Sequence, residues 1–186
     1  GEVVLGTDSH MNLLGAVGAF ARGVGNSDVA AAYVNGTSWF RVPETMKIEV
    51  TGAFSKGVCM RDLLTRIVGD LGASGMDFLA VEFTGETIEA ASLADRITLC
   101  SMVTEMSGKV PIVMPNGEVL EWLVGRAGEE VRQRVETLSA DSDAEYCRVL
   151  HYDVSQLEPL ASCPDAPDNV KPVQKIAGTH VDQVHI

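Results

Sequence analysis

The sequence predicts an α/β fold in which short strands alternate with helices. Three observations carry this expectation. Val3-Val4-Leu5, Met46–Val50 and Phe78–Thr84 are short runs with strand character. Leu63, Leu64, Ile67, Val68 and Leu71 recur at helical spacing between the second and third of them. The composition, 46% hydrophobic and 22% charged with 18 glycines, is ordinary for a soluble α/β chain. At 186 residues there is room for one good domain or two small ones.

The elements follow in order. Glu2–Leu5 reads as a first strand, ending at Gly6. Leu13–Ala21 and Asp28–Val34 are apolar and alanine-rich, and both read as short helices. The glycine pair Gly23-Val24-Gly25 between them resembles a dinucleotide loop only in part. Such a loop needs a preceding strand and a third glycine, whereas here a helix is expected before it and Asp28 holds the third place. A helix-to-helix turn with Asn26 or Ser27 as N-cap is the reading adopted. Trp39-Phe40-Arg41-Val42-Pro43-Glu44 is a boundary, because a proline disfavours helix before it.

Met46-Lys47-Ile48-Glu49-Val50 alternates apolar and charged residues, as a half-buried strand does. Arg61–Leu71 is helical and stops at Gly72 and Gly75. In Phe78–Thr84, alternation places Leu79, Val81 and Phe83 on one face and Ala80, Glu82 and Thr84 on the other. Ser92 caps a helix running through Asp95 to Met106, which Gly108 stops. Val110–Met114 is a short strand. Val119–Val124 and Glu129–Leu138 are helical, either separate or one helix disturbed at Gly125 and Gly128. Leu157–Val173 carries Pro159, Pro164, Pro167 and Pro172 and reads as an extended linker or wall-crossing loop. Val181–Ile186 reads as a last strand. A chain that opens and closes inside strands, without an initiator Met, looks like an excerpt of a longer polypeptide.

A net charge of −12 argues against a nucleic-acid partner, which needs clustered Lys and Arg. The basic neighbourhood Arg126–Arg134 is interleaved with Glu129 and Glu130 and reads as a solvated helix face. No apolar run is long enough to span a membrane, and no secretion signal opens the chain, so a cytoplasmic location is expected. Cys59, Cys100, Cys147 and Cys163 contain no C-x-x-C pair and are expected as reduced thiols. Cys100 shares helical spacing with Leu93 and Ile97 and reads as a buried small apolar residue.

The chemistry-bearing stretch is Val3-Val4-Leu5-Gly6-Thr7-Asp8-Ser9-His10, where a strand delivers a carboxylate, a hydroxyl and an imidazole. It has two readings. One is a turn with local side-chain hydrogen bonds. The other is a proton-handling site, for which Glu82 offers a carboxylate to orient His10 if the two strands lie in neighbouring layers.

Gly6-Thr7-Asp8-Ser9-His10 resembles the G-T-D-S-H-T motif of the aconitase superfamily. The resemblance continues, in order, through Gly23–Asp28, Trp39–Glu44, Val81-Glu82-Phe83-Thr84-Gly85, Arg96–Met102, Asp143-Ala144-Glu145-Tyr146, Leu157-Glu158-Pro159 and Pro167-Asp168-Asn169-Val170. It is nearest to the large-subunit branch of 3-isopropylmalate dehydratase, homoaconitase and dimethylmalate dehydratase. It implies three-layer α/β/α domains with a mixed sheet. Residues 1–38 would be the C-terminal part of a first α/β domain, residues 39–169 a second, and residues 170–186 a linker and the first strand of a third.

The resemblance further implies a hydro-lyase acting on a hydroxy di- or tricarboxylic acid such as isopropylmalate. In that family a [4Fe–4S] cluster serves as Lewis acid, and a small subunit or swivelling domain supplies the base. Carried over residue by residue, Asp8 positions the network and Ser9 contacts a substrate carboxylate. His10 and Glu82 would handle the hydroxyl or water on the iron. Met11 departs from the family's threonine, and Asp165 from its histidine. The cluster's cysteine motifs are absent from this sequence, so no metal ligand is assigned here and the ligands are expected outside this chain. The alternatives are a non-catalytic binding module, which the acidity disfavours for RNA, and a divergent paralogue acting in assembly.

Overall fold

The computed structural model describes residues 1–136 and 140–185. Strand β1 (Val3–Gly6), a 3-10 helix (Met11–Val17), strand β2 (Phe20–Gly23) and helix α1 (Asn26–Asn35) open the chain. They are followed by β3 (Thr45–Thr51), α2 (Met60–Leu71), β4 (Ala80–Thr84), α3 (Glu86–Glu89) and α4 (Leu93–Met102). A second 3-10 helix (Val103–Met106), β5 (Val110–Ile112), α5 (Gly117–Ala127) and α6 (Glu130–Glu136) come next. Strands β6 (Arg148–Asp153), β7 (Leu160–Ser162) and β8 (Val170–Pro172) complete the strands. The α/β class read from the sequence is the one observed.

The main sheet has the order β5-β4-β3-β6 and its pairs are all parallel. β1 and β2 form a separate parallel pair, and antiparallel pairing is confined, among the described residues, to the β7–β8 hairpin. Alternation in β3 buries Met46, Ile48 and Val50 completely and leaves Lys47 and Glu49 half-buried on the other face. Val81 and Phe83 of β4 join the buried set, against Leu63, Leu64 and Ile67 of α2 and Leu99 and Cys100 of α4. The opposite face of the same sheet is polar and carries Lys47, Glu49 and Glu82. α4 begins as the sequence predicts: the Ser92 hydroxyl accepts from the Asp95 N–H at 3.2 Å, and Asp95 Oδ2 accepts from the Ser92 N–H in return.

Four expectations need correction. Phe20–Gly23 is a strand and not the end of a helix, because β1 offers it a parallel partner in the register Val3↔Phe20 to Gly6↔Gly23. The 3-10 helix supplies the crossover that a parallel pair requires. A strand therefore does precede Gly23-Val24-Gly25, and Gly25 is the N-cap of α1, with Asn26 and Ser27 inside the helix. The Asp28 carboxylate accepts from the Gly25 N–H at 3.1 Å, so the turn's own anion occupies the place a phosphate would take. Second, β6 arises from Arg148-Val149-Leu150-His151-Tyr152-Asp153, a stretch to which the sequence pattern assigns no element. Third, Leu157–Val173 is not a plain linker: β7 forms between Pro159 and Pro164 and pairs with β8, which ends at Pro172. Fourth, residues 181–185 form no strand, because among the described residues no neighbouring strand gives them a ladder; Ile186 lies outside the described residues. Gly128 ends α5 and separates it from α6, whereas Gly125 lies within α5; Leu138 of the expected second helix is also outside the described residues.

The small β1–β2 unit is joined to the main sheet by backbone contact. A Cβ on Gly15 would lie 2.0 Å from the Pro111 carbonyl oxygen, and Val113 donates its N–H to the Gly15 carbonyl at 3.0 Å. Phe78, held at φ 60°, adds a second junction. Arg22 of β2, Arg41 and Lys109 all lie over its ring, at 5.8, 5.4 and 5.6 Å from the centroid. Arg96 of α4 is buried, and its guanidinium donates to the carbonyls of Ala91, Glu89 and Met114 and to Asn116 Oδ1. Those bonds tie α4 to the loop leaving β5 and satisfy a charge that burial would otherwise disfavour.

These contacts separate the glycines by consequence. Gly15→Ala drives a methyl into backbone and is expected to destabilise by about 2–3 kcal/mol. Gly125→Ala, where a Cβ meets nothing within 4 Å, is expected to stabilise α5 by about 0.5–1 kcal/mol. Urea unfolding of the two variants beside the parent measures both.

Candidate functional site

Asp8, Ser9 and His10 leave the C-terminal end of β1 in a tight turn. Asp8 Oδ1 accepts the His10 N–H at 2.7 Å, and the Asp8 carbonyl accepts the Met11 N–H at 3.2 Å. The turn fits closely over β2: a Cβ on Gly23 would stand 2.4 Å from the Asp8 carbonyl oxygen and 3.1 Å from Ser9 Cα. The Met11 thioether lies over Gly6, where a Cβ would meet its terminal methyl carbon at 1.9 Å. Met11 thus places an apolar cover on β1.

The imidazole of His10 is held from both sides. Its Nδ1 is 3.0 Å from Ser9 Oγ and 3.9 Å from Asp8 Oδ1. Its Nε2 faces Glu105 Oε1 at 3.5 Å, an ion-pair distance when the ring is protonated. Glu105 comes from the 3-10 helix after α4. The residue before it, Thr104, donates its hydroxyl to the Ser9 carbonyl at 3.2 Å and accepts from Asn12 Nδ2 at 2.8 Å. Asn12 is buried, and its Oδ1 has no partner among the described residues. The histidine turn is therefore fastened to the end of α4 by a side-chain chain of Asn12, Thr104 and Ser9. His10 opens into a cleft of about 490 Å³, lined also by Arg61, Ile97, Ser101, Glu105 and Ser162.

Glu82 lies elsewhere. It belongs to the polar face of the sheet, whereas the cleft of His10 is lined from α2 and α4 on the other side. Among the described residues no hydrogen bond or ion pair joins Glu82 to His10. The carboxylate of Glu82 instead accepts from the Tyr146 hydroxyl at 2.6 Å. So the structure brings Asp8, Ser9 and His10 together, supplies Glu105 as the carboxylate at the ring, and keeps Glu82 apart with Tyr146. Strand alternation already places Glu82 opposite Val81 and Phe83. The Asp143–Tyr146 motif is visible in the sequence but suggests no role, and Glu105 gives no signal beyond its place in an amphipathic helix.

The sequence matches the model of a family described as the aconitase family (aconitate hydratase) over residues 1–185. The chain belongs to the aconitase family. It is 43% identical over 186 residues to a probable methanogen homoaconitase large subunit of Methanothermobacter thermautotrophicus, covering all of this chain and 42% of that relative. It is likewise 43% identical to 3-isopropylmalate dehydratase large subunit 1 of Methanopyrus kandleri, covering 44% of it. The figure is 38% for the 3-isopropylmalate dehydratase large subunit of a Sulfurihydrogenibium species, again over all of this chain and 42% of the relative. The chain spans less than half the length of these curated relatives.

The family resemblance implies a [4Fe–4S] cluster, and the cysteines of this chain do not fit one. Cys59 and Cys147 are exposed, Cys163 is half-buried and Cys100 lies in the core. Among the described residues no three His, Cys, Asp or Glu side chains converge as metal ligands. Burial pushes the Cys100 thiol up, which keeps it protonated and inert. No helix is long and apolar enough to cross a membrane among the described residues.

The cysteine environments predict an order of reactivity. Alkylation of the native protein, followed by peptide mass spectrometry, is expected to modify Cys59 and Cys147 first, Cys163 more slowly, and Cys100 only after unfolding.

Proposed function

We propose that this chain is part of the large subunit of an aconitase-family hydro-lyase. Its reaction is the removal and return of water on a hydroxy di- or tricarboxylic acid, of which isopropylmalate is the representative. The homoaconitase, dimethylmalate dehydratase and aconitase substrates belong to the same class. The observation that carries the reading is His10, set at the end of β1 with a hydroxyl at one ring nitrogen and a carboxylate facing the other. An imidazole so placed can pass a proton to and from a hydroxyl or water in the cleft, which a dehydration needs.

Each residue has a distinct part. Asp8 fixes the turn through the His10 N–H. The Ser9 hydroxyl sits beside the ring and contacts a substrate carboxylate. Glu105 keeps the imidazole oriented and offsets its charge when protonated. Arg61 lines the same cleft with a guanidinium and takes a second carboxylate, which suits a substrate carrying at least two. Glu82, which does not line this cleft, is proposed to join the reaction from the polar face of the sheet, where the rest of the subunit completes the site.

The relatives are named large subunits. A small subunit or swivelling domain is accordingly proposed to bring the base that removes the second proton. The ligands of the [4Fe–4S] cluster are proposed to come from segments this chain does not carry. A cytoplasmic location, and the division into domains at about residues 38 and 169, belong to the same proposal.

In the complete enzyme, His10→Ala and Glu82→Gln are each expected to lower kcat by ~10²–10⁴, while Arg61→Gln raises KM. Steady-state kinetics at matched iron content measure these effects. A near-wild-type rate for His10→Ala with the cluster intact removes His10 from the reaction. The 186-residue chain alone is expected to take up no stoichiometric cluster and to turn over no substrate. Anaerobic reconstitution with iron and sulfide that yields turnover overturns the placement of the ligands elsewhere.

A further inference from the structure

The polar face of the main sheet carries a cluster that the reading of the His10 cleft does not use. Tyr146 lies two residues before β6, anchored where Cys147 donates its N–H to the Thr45 carbonyl at 2.9 Å. Strand β3 lies between β6 and β4. Two inter-strand spacings, about 9–10 Å, separate β6 from β4, and the Tyr146 and Glu82 side chains meet across β3. The Tyr146 hydroxyl donates to Glu82 Oε2 at 2.6 Å, the short distance typical of a bond to an ionised carboxylate. Lys47, the partner of Glu82 in the parallel register, places its ammonium 5.3 Å from the centre of the Tyr146 ring. On the other side Glu82 is paired with Ile112 of β5, whose side chain offers no hydrogen bond.

We propose that Tyr146 is a positioning residue, whose hydroxyl fixes the Glu82 carboxylate in one orientation on the sheet face. A glutamate on an open polar face has three rotatable bonds and ordinarily samples many orientations. A single short bond from a rigid ring, itself covered by Lys47, removes most of that freedom. The arrangement also sets the role of the phenol. Its pKa is pushed up to about 12, first by the bond to Glu82 and then by burial, so it remains a donor through the whole range in which an enzyme works. Tyr146 touches no reacting atom in this scheme and acts through Glu82. The inference rests on the assignment of Glu82 to the reaction proposed above.

The test is a double-mutant cycle in the complete enzyme, with Tyr146→Phe, Glu82→Gln and the pair. Tyr146→Phe is expected to lower kcat by about 10- to 100-fold, the loss of one hydrogen bond to a charged group. KM and the unfolding midpoint stay near the parent values. In the Glu82→Gln background, Tyr146→Phe is expected to cost nothing further, because the carboxylate it serves is gone. If Glu82→Gln is impaired while Tyr146→Phe turns over at the parent rate, the positioning role is overturned and the role of Glu82 stands. The positioning role is equally overturned if Tyr146→Phe costs as much in the Glu82→Gln background as alone. A parent-like rate for Glu82→Gln overturns the assignment of Glu82 itself, and this inference with it.

Discussion

The close approach of Gly15 to the carbonyl of Pro111 is the constraint on which the arrangement of this chain depends. Two parallel strands, β1 and β2, have too little apolar surface to hold themselves together in water. They are held because the 3-10 helix between them lies directly on the exit of β5, with no side chain at Gly15 to keep the backbones apart. The start of the site takes its place from that contact together with the Asn12–Thr104–Ser9 hydrogen bonds. His10 is the residue that precedes this 3-10 helix, and its turn rests on Gly23 of β2. Arg96 serves the other side of the same joint, since its guanidinium gathers carbonyls from the end of α3, the turn before α4 and the segment after β5.

The result is a molecule with two chemical faces. On the helix side, a turn, a hydroxyl, an imidazole and a carboxylate converge around one cleft. On the bare side of the sheet, Glu82 is held by an aromatic hydroxyl beneath a lysine. The helices α2 and α4, packed on Val81 and Phe83, stand between them. In this chain His10 and Glu82 each have a partner of their own, Glu105 and Tyr146.

Much of this is legible in the residues, and the omissions have physical causes. Period-two alternation in Met46–Val50 and Phe78–Thr84 locates β3 and β4, and even the face that Glu82 occupies. The Ser92–Asp95 pair announces the start of α4. Phe20–Gly23 escapes such a reading because Ala-rich composition outweighs four residues whose strand state depends on β1, a partner that local pattern cannot supply. Residues 181–185 fail in the opposite sense: their pattern is strand-like, but without a neighbour among the described residues a pattern makes no ladder. For the site, contiguous Asp8, Ser9 and His10 can be read directly. Glu105 and Tyr146 cannot, since they reach their partners from 95 and 64 residues away in the chain, through the 3-10 helix Val103–Met106 and through the approach to β6.

The same joint at Gly15 also decides how the molecule breathes. A piece of structure with no core of its own cannot set its own opening free energy. The amides of β1, of the crossover and of β2 are therefore expected to exchange as one unit, protected while its joints to β5 and to the end of α4 are closed. The wall that bears His10 is in this sense a latch whose lifetime is governed some distance from the imidazole, at a place where a hydrogen atom stands instead of a methyl group.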